Sequence, residues 1–351
     1  MIEIRTFDGD MRQLAEFCNM AWARRYEGRM PFAAWTPEFF EWELDDCAQT
    51  RELIVAAYDG ARLVGVLPAR PMKFHIQGQT IDGSWGSYFS VDPDYENQPV
   101  SIKLHLEQRR RHKQHGLKVN MGYVFTGYSV ARGQKFWLKQ QRLVKPVRNV
   151  GTWVRLLDPA AVARFSHSRL DIAGTYLSRL VLGDPRPPRH PAAIRPFTAA
   201  DAASCAALLD AASRRADLGY AWDEKLAARQ LQFKDATRTL VAEHEGRVAG
   251  LINYCPLKLL GRTPITAGVI DFLETEGLPL RTSIDLVRTA LADMRNRGMH
   301  MAMALRVSAM PFWPLARVAF TMIPAEYCYV AQPIDFELPD WRLRRLNVHW
   351  R

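Results

Sequence analysis

One carboxylate, Asp271, lies within a run of apolar residues that includes Val269, Ile270, Phe272 and Leu273. A carboxylate in such a run must be hydrogen-bonded, be paired with a cation, or have a raised pKa. A raised pKa suits a general base. A structural role would instead place Asp271 at the cap of a neighbouring helix or beside an arginine between domains. The sequence leaves both interpretations open.

Three histidines share one face of a predicted helix, because His105, His112 and His115 follow each other at helical spacing. Such a set could bind a metal ion. The basic residues 109–111 and Lys113 around them oppose a divalent cation. The sequence therefore favours a solvated basic helix face, suited to an anionic partner, and predicts no metal site.

The elements that would position these residues occur twice along the chain. A strand that begins at Gly86 is followed by a helical stretch that ends at Gly116, and both glycines recur at the same spacing as Gly268 and Gly298. A repeat of this length gives each copy enough residues for its own core. The sequence therefore predicts two similar domains and not a short-period repeat array.

Each copy mixes strands and helices in the same order. Asp59-Gly60 and Glu245-Gly246 are turn pairs that predict one hairpin in each copy. The segments 11–22 and 205–212 carry apolar residues at helical spacing. The order strand, helix, helix, antiparallel strands, helix, strand predicts an α/β fold of the α+β type with a mixed sheet.

The copies are separated by a segment rich in proline, 184–191, which cannot form a helix or a central strand. We therefore expect the first domain at 1–157, a helical and proline-rich linker at 158–191, the second domain at 192–335 and a C-terminal tail at 336–351. The tail carries tryptophans that could cover a groove or pack at a surface.

Composition limits the class of protein. The chain has 351 residues, of which 48% are hydrophobic and 24% charged, as in a globular protein of about two domains. We expect neither a secretory signal nor a membrane span. Five cysteines without a CxxC spacing indicate a reduced, cytoplasmic protein. The net charge of +10 favours anionic partners without selecting one.

The segment Tyr88-Phe89-Ser90-Val91-Asp92-Pro93-Asp94-Tyr95, followed by a helix and His115-Gly116, resembles the central motif of the GCN5-related N-acetyltransferase family. The resemblance covers most of both copies and implies two tandem acyl-CoA N-acyltransferase-like domains. It also implies that acetyl-CoA or another acyl-CoA is the co-substrate, contacted by the strand from Tyr88 to Val91. Loop amides at the start of the helix would then bind the CoA pyrophosphate.

The loop before that helix departs from the family pattern, Arg/Gln-x-x-Gly-x-Gly/Ala. This chain has Glu96-Asn97-Gln98-Pro99-Val100-Ser101. Glu96 brings a negative charge toward a diphosphate, and Pro99 removes one amide donor. The resemblance nevertheless implies donor contacts at Asn97, Gln98, Val100 and Ser101.

Acyl transfer to an amine needs a base and an acid. In the family a carboxylate of the central strand often serves as base, which implies Asp271 in the second copy or Asp82 before the first central strand. The family's acid is a tyrosine where this chain has Phe136-Trp137 and Phe312-Trp313. Tyr128 is the substitute that the sequence offers.

Together these features predict a cytoplasmic N-acyltransferase that moves an acyl group from acyl-CoA to a small-molecule amine. The donor would lie where the first central strand splays from its neighbour, and the amine between the two copies. Two alternatives stay open. One is transfer from an acidic carrier protein or a charged tRNA, and the other is a degenerate pair that binds without catalysing. The sequence identifies neither the acceptor nor the acyl chain.

Overall fold

The computed structural model describes residues 1–45, 47–127, 143–167 and 193–350. The strands are β1 (Ile2–Thr6), β2 (Phe32–Ala34), β3 (Val55–Asp59), β4 (Arg62–Leu67), β5 (Ala69–Ile76), β6 (Gln79–Gly86), β7 (Ser90–Val91), β8 (Val119–Phe125), β9 (Lys145–Leu156), β10 (Ile194–Pro196), β11 (Leu218–Tyr220), β12 (Arg238–His244), β13 (Arg247–Leu260), β14 (Ile265–Glu274), β15 (Met301–Leu305), β16 (Thr321–Pro333) and β17 (Leu346–Asn347). The helices are α1 (Met11–Tyr26), α2 (Pro37–Leu44), α3 (Ala48–Leu53), α4 (Val100–Gln114), α5 (Pro159–Phe165), α6 (Ala202–Arg214), α7 (Glu224–Leu231), α8 (Leu280–Asn296) and α9 (Phe312–Arg317).

Both predicted hairpins form. The first lies one residue later than the predicted pair: Asp59 pairs with Arg62, so the turn between β3 and β4 is made by Gly60 and Ala61, with Gly60 at a φ of +58°. The turn between β12 and β13 is made by Glu245 and Gly246, at φ values of +52° and +73°. Positive φ at the first central residue, or at both, matches the right-handed twist of the flanking strands, which is why two-residue turns of this kind form tight hairpins.

Two sheets carry the fold. The smaller contains β1, β3, β4 and β7 in that order. The larger has the strand order β10-β12-β13-β14-β15-β9-β16-β8-β6-β5-β11-β17, with β2 added beside β13. The larger sheet therefore takes strands from both copies of the repeat.

The two copies exchange strands at the centre of that sheet. From the first copy, β9 lies between β15 and β16, with Val154 opposite Met303. From the second copy, β16 lies between β9 and β8, with Ala331 opposite Met121. Residue 157 therefore divides the sequence but not the sheet. The domain bounds at 1–157 and 192–335 stay a prediction.

The prediction of a solvated basic face on α4 is wrong for His105 and His112, which are 3% and 1% exposed. Polar side chains can be buried when their hydrogen bonds are satisfied. Gln108 donates to the carbonyl of Leu67 and Arg111 to the carbonyl of Glu52, while His112 bonds to Ser84. The face without apolar residues is thus packed through hydrogen bonds.

Burial changes the protonation of these two histidines. It lowers the pKa of His105 to about 4, with a further contribution from Arg109. It lowers the pKa of His112 to about 3, helped by the charges of His105, His115 and Arg109. Both imidazoles are therefore neutral near pH 7.

The C-terminal tail folds back on the sheet. Its strand β17 pairs in parallel with β11, and Trp341 is buried. Tyr128, Phe136-Trp137 and most of the predicted linker lie outside the described residues. Within the described ranges, none of the helices combines the length and the apolar character that crossing a membrane requires.

Candidate functional site

The central strand of the first copy breaks away from its neighbour at Tyr88. Parallel pairing of β6 with β8 runs from Gly83 opposite Val119 to Trp85 opposite Met121, and it goes no further. The chain then continues as β7, which pairs with β4 in the other sheet. Tyr88 lies between the two strands with a φ of +59°. The strands on either side of the opening are therefore held in different sheets.

Aromatic rings hold Tyr88 in this conformation. Its side chain is buried, with ring centroids 4.9 Å from Trp35, 5.1 Å from Phe40 and 5.8 Å from Phe39. Its carbonyl accepts a hydrogen bond from Ser90 Oγ at 2.9 Å. A bulky residue at positive φ costs about 1–3 kcal/mol and persists only where its surroundings fix it. The packing around Tyr88 thus maintains the opening.

A cavity of about 970 Å³ fills the opening and continues between the two copies. At the parted strands it is lined by residues 86–91 and 120–125. The lining thus includes Tyr88, Phe89, Ser90 and Val91, whose contact with a donor stays a prediction. Between the copies the lining is largely apolar and comes from β9, β15, β16 and α5: Val154, Leu156, Met301, Met303, Ile323 and Phe165. Trp350 of the tail also lines it.

The cavity reaches the start of α4. This helix of 15 residues has no side-chain hydrogen bond at its N-cap, Pro99. Ser101 lines the cavity, whereas Val100 packs in a core and Asn97 and Gln98 are exposed and lie outside the lining. The first-turn amides and the helix dipole favour an anion at such an end. Of the predicted loop contacts, the structure brings Ser101 to the cavity.

Glu96 is neutralised by an arginine that the sequence analysis missed. Arg25 Nη1 on α1 lies 2.7 Å from Glu96 Oε2, and both residues line the cavity. A few residues earlier, the fully buried Asp92 accepts from Arg24 Nη1 and Arg62 Nη2, each at 2.6 Å. These charge-assisted bonds fix the turn between β7 and α4.

The carboxylates on the described lining are Glu96 and Glu326. Glu326 lies in β16 where the pairing with β9 shifts register between Ile323 and Tyr327. A bulge of this kind redirects a side chain, and such irregularities are common beside functional sites. No sequence pattern marks the bulge, so Glu326 was not predicted as a site residue.

Asp271 and Asp82 do not line the cavity. Asp271 is 2% exposed within β14, and its charge acts on Tyr123, which does line it. Burial first, then Tyr329 and Asp271, raise the pKa of Tyr123 well above its usual value. The neutral Tyr123 hydroxyl donates to the carbonyl of His349 at 2.7 Å. The Asp82 side chain is 63% exposed, and its Oδ1 lies 3.8 Å from Lys73 Nζ.

Tyr128, the predicted acid, lies outside the described residues. Among the described residues, no three His, Cys, Asp or Glu side chains are grouped so that they could hold a metal ion.

Comparison with known proteins rests on structure, since no family model and no curated protein matches the sequence. N-myristoyltransferase of Saccharomyces cerevisiae with bound myristoyl-CoA superposes with a TM-score of 0.73 at 14% identity, covering 94% of this chain and 78% of that one. A second structure of that enzyme, with myristoyl-CoA and inhibitors, gives 0.75 at 14% identity over 98% and 86% of the two chains.

A GCN5-related N-acetyltransferase from Anabaena variabilis gives a TM-score of 0.56 at 10% identity, covering 95% of this chain and 73% of that one. These likenesses, with the mixed sheets, the repeat and the splayed central strand, establish the architecture. The chain has the fold of the GCN5-related N-acetyltransferases, in two tandem units.

Proposed function

We propose that the protein is an N-acyltransferase that moves an acyl group from acyl-CoA to an amine. The observation that carries the proposal is the cavity at the parted strands, which runs from the uncapped start of α4 to the space between the two copies. A donor with an anionic end and a thioester fits this shape, because one end of the cavity suits phosphate and the rest is largely apolar. Structural neighbours with bound myristoyl-CoA support the same class of donor.

The donor residues follow from the two ends of that cavity. The first-turn amides of α4, with Ser101 beside them, would hold the CoA pyrophosphate. Arg25 would offset the charge of Glu96 close to it. The pantetheine arm would extend along the opening between β7 and β8, where backbone groups of both strands face one another across the gap. Bound CoA supplies the activated acyl thioester.

The acceptor would lie between the two copies, among Val154, Met303 and Ile323. Because these side chains are apolar, we infer an amine with an apolar body. Fixing amine and thioester in one cavity converts a bimolecular reaction into an effectively unimolecular one, which can supply several kcal/mol of the rate enhancement. The volume of about 970 Å³ also leaves room for an acyl chain longer than acetyl.

Glu326, which lines the cavity at the register shift of β16, is the carboxylate that we propose as proton acceptor. The ammonium of the acceptor would lose a proton to Glu326, and the neutral nitrogen would attack the thioester carbon. A cysteine thiol has a reference pKa of about 8.5, and a thiolate of this kind can depart without a strong acid. Asp271 would act indirectly, through Tyr123.

A carrier protein or charged tRNA as acyl source has no support from these neighbours, and a degenerate binding module would keep the fold without turnover. Location in the cytoplasm stays a prediction.

The test of the proposed function is incubation with acyl-CoAs of two to fourteen carbons and a panel of apolar amines, with release of free thiol and the mass of the N-acyl product as readouts. Amide formation with matching thiol release supports the proposal. Release no faster than in buffer, with every donor and amine, contradicts it.

A further inference from the structure

Three polar side chains form a row across the centre of the large sheet. Ser84 on β6 pairs with Asn120 on β8, which pairs with Gln332 on β16. All three are buried, and Ser84 is fully so. A polar group in such a place is costly unless its hydrogen bonds are made. The row therefore needs partners.

The hydrogen bonds in this row have a direction. Ser84 Oγ donates to Asn120 Oδ1 at 2.9 Å and lies 2.8 Å from His112 Nε2. A serine hydroxyl has one proton, which is used toward Asn120, so His112 Nε2–H must be the donor in the second bond. The chain of donation therefore runs from His112 through Ser84 to the Asn120 oxygen. We call these three residues the His112 relay.

The Asn120 oxygen accepts from Ser84, so the amide nitrogen of Asn120 is the hydrogen-bond donor at the far end of the His112 relay. Asn120 lines the cavity where β6 and β8 part. Its Nδ2 lies 3.5 Å from Gln332 Oε1, the limit of a hydrogen bond, so its two N–H groups are not both used there. Gly86 leaves room for the Asn120 side chain, because a Cβ atom at residue 86 would lie 2.8 Å from Asn120 Nδ2.

We infer that Asn120 forms a subsite for a carbonyl oxygen, which takes the thioester carbonyl of the acyl donor. The inference rests on the proposed function. Asn120 would donate Nδ2–H to that oxygen, while Ser84 and His112 act as positioning residues that fix the carboxamide orientation. A donor held in place before the reaction stabilises charge that develops on an oxyanion.

Acyl transfer at this subsite forms one C–N bond and breaks one C–S bond. The ammonium first gives one proton to Glu326 by way of water, because Glu326 lies six residues along β16 from Gln332, the residue opposite Asn120. The nitrogen then bonds to the thioester carbon, whose oxygen gains the electron pair and accepts from Asn120. The carbonyl re-forms as the C–S bond breaks, and the departing thiolate takes the second proton that the nitrogen loses, so that CoA is released as thiol. Asn120 gains and loses no proton in the cycle.

The experiment is infrared difference spectroscopy of acetyl-CoA, labelled with ¹³C at the carbonyl and bound to the full chain. A hydrogen bond from Asn120 lowers the carbonyl stretching frequency relative to free acetyl-CoA. We expect Asn120→Asp and Asn120→Leu to return the band toward the free value, with the Kd for acetyl-CoA within about threefold. Where transfer is measurable, kcat should fall about 10²- to 10³-fold, as on removal of one oxyanion donor.

Two further variants separate the relay from general disturbance of the sheet. Ser84→Ala releases the Asn120 oxygen, so the carbonyl band should broaden and move part of the way back. Gln332→Met removes the distant acceptor of Asn120 Nδ2 but leaves both bonds that connect His112, Ser84 and the Asn120 oxygen, and the band should stay where it is. Asn120→Asp and Ser84→Ala nearly preserve size, so they serve as the test if Asn120→Leu fails to fold.

Each outcome is informative. A band in the Asn120 variants identical to that of the unmodified protein, with acetyl-CoA bound, overturns the carbonyl subsite and leaves the proposed function standing. A shift lost in Gln332→Met but kept in the Asn120 variants overturns it as well. If acetyl-CoA does not bind, the same label is placed on a longer acyl-CoA, and an absence of binding by both overturns the subsite and the proposed donor together.

Discussion

Arg25 Nη1 on α1 lies 2.7 Å from Glu96 Oε2 in the turn before α4, and the two side chains line the same end of the cavity. This pair explains how a chain with glutamate in the turn before the helix can keep an anion-binding end. The carboxylate is turned toward a guanidinium that comes from another element. A phosphate group at this end would therefore meet an ion pair and not an isolated negative charge.

Arg25→Gln should weaken CoA binding. Loss of the guanidinium leaves the Glu96 charge facing the pyrophosphate, and we expect the Kd to rise about tenfold, which corresponds to about 1.4 kcal/mol. Titration calorimetry with CoA measures it. The double variant Arg25→Gln, Glu96→Gln should recover most of the affinity, because the two residues are coupled.

The matched control is Arg215→Gln, which removes an exposed arginine paired with Glu276 in the second copy. Its Kd for CoA should equal that of the unmodified protein. Equal weakening by Arg25→Gln and Arg215→Gln would mean that net charge alone governs binding.

Glu326→Gln should reduce turnover while CoA still binds. Loss of a general base costs typically 10²- to 10⁴-fold in rate, and glutamine keeps the size of the side chain. We expect kcat to fall in that range with the Kd for acyl-CoA unchanged. Thiol release under saturating donor and amine measures it.

The variants Asp271→Asn and Asp82→Asn test the two carboxylates that the family resemblance implied as candidate bases. Asp82 is exposed beside Lys73, so its variant should retain full kcat. Asp271 does not line the cavity, and its charge acts on Tyr123, which does, so a smaller loss is expected than for Glu326→Gln. A loss confined to Asp271→Asn would instead make Asp271 the base, as the sequence resemblance implied.

Substitutions that fill one end of the cavity or the other should separate the binding of CoA from the use of the amine. Ser101→Tyr places a ring at the start of α4 and should abolish CoA binding. Val154→Trp fills the apolar part between the copies and should leave the Kd for CoA within about twofold while turnover of bulky apolar amines stops. Calorimetry and product mass measure the two effects. Loss of CoA binding in Val154→Trp would show that the donor extends between the copies.

Acid should destabilise the protein before its carboxylates titrate. The folded-state pKa values of His105 and His112, about 4 and about 3, lie below the unfolded value of about 6.5. Between these values the unfolded chain binds more protons at these two histidines, so their contribution to stability is constant above pH 6.5 and falls below it. Burial raises the pKa of Glu274 to about 8, so this one carboxyl has the opposite effect and offsets part of the loss. Each histidine contributes up to about 1.4 kcal/mol for each pH unit in that window.

Urea unfolding at pH 7 and pH 5 measures this loss. Glu107, whose pKa is lowered to about 2 mainly by Arg110, contributes only below its unfolded value and so lies outside this range. His105→Leu should reduce the difference between the two midpoints, whereas His244→Gln at the β12 hairpin should leave it unchanged. An equal change of midpoint in His105→Leu and in the unmodified protein would contradict the burial of the His105 imidazole.

Local signals in the sequence were sufficient for the elements and for the fold. Turn pairs such as Glu245-Gly246 adopt positive φ through residues next to each other in sequence, and the repeat of Gly86 as Gly268 is visible without coordinates. The segment from Tyr88 to Val91, which lines the cavity, could be singled out for the same reason, because its motif is contiguous.

The remaining features depend on partners distant in sequence. The exchange of β9 and β16 is set by pairing between the copies, which no local pattern encodes. The buried polar face of α4 has its partners on α3, β4 and β6, so a helix surface without apolar residues was predicted as solvated. Glu326 reaches the cavity through a bulge, and Arg25 through the packing of α1 against the turn before α4.

Titration calorimetry with acyl-CoA tests the central claim most directly. We predict one molecule bound per chain, raised thermal stability in its presence, and loss of both effects in Ser101→Tyr. No heat of binding together with an unchanged melting temperature, for acetyl-CoA and for longer acyl-CoAs alike, would contradict the account.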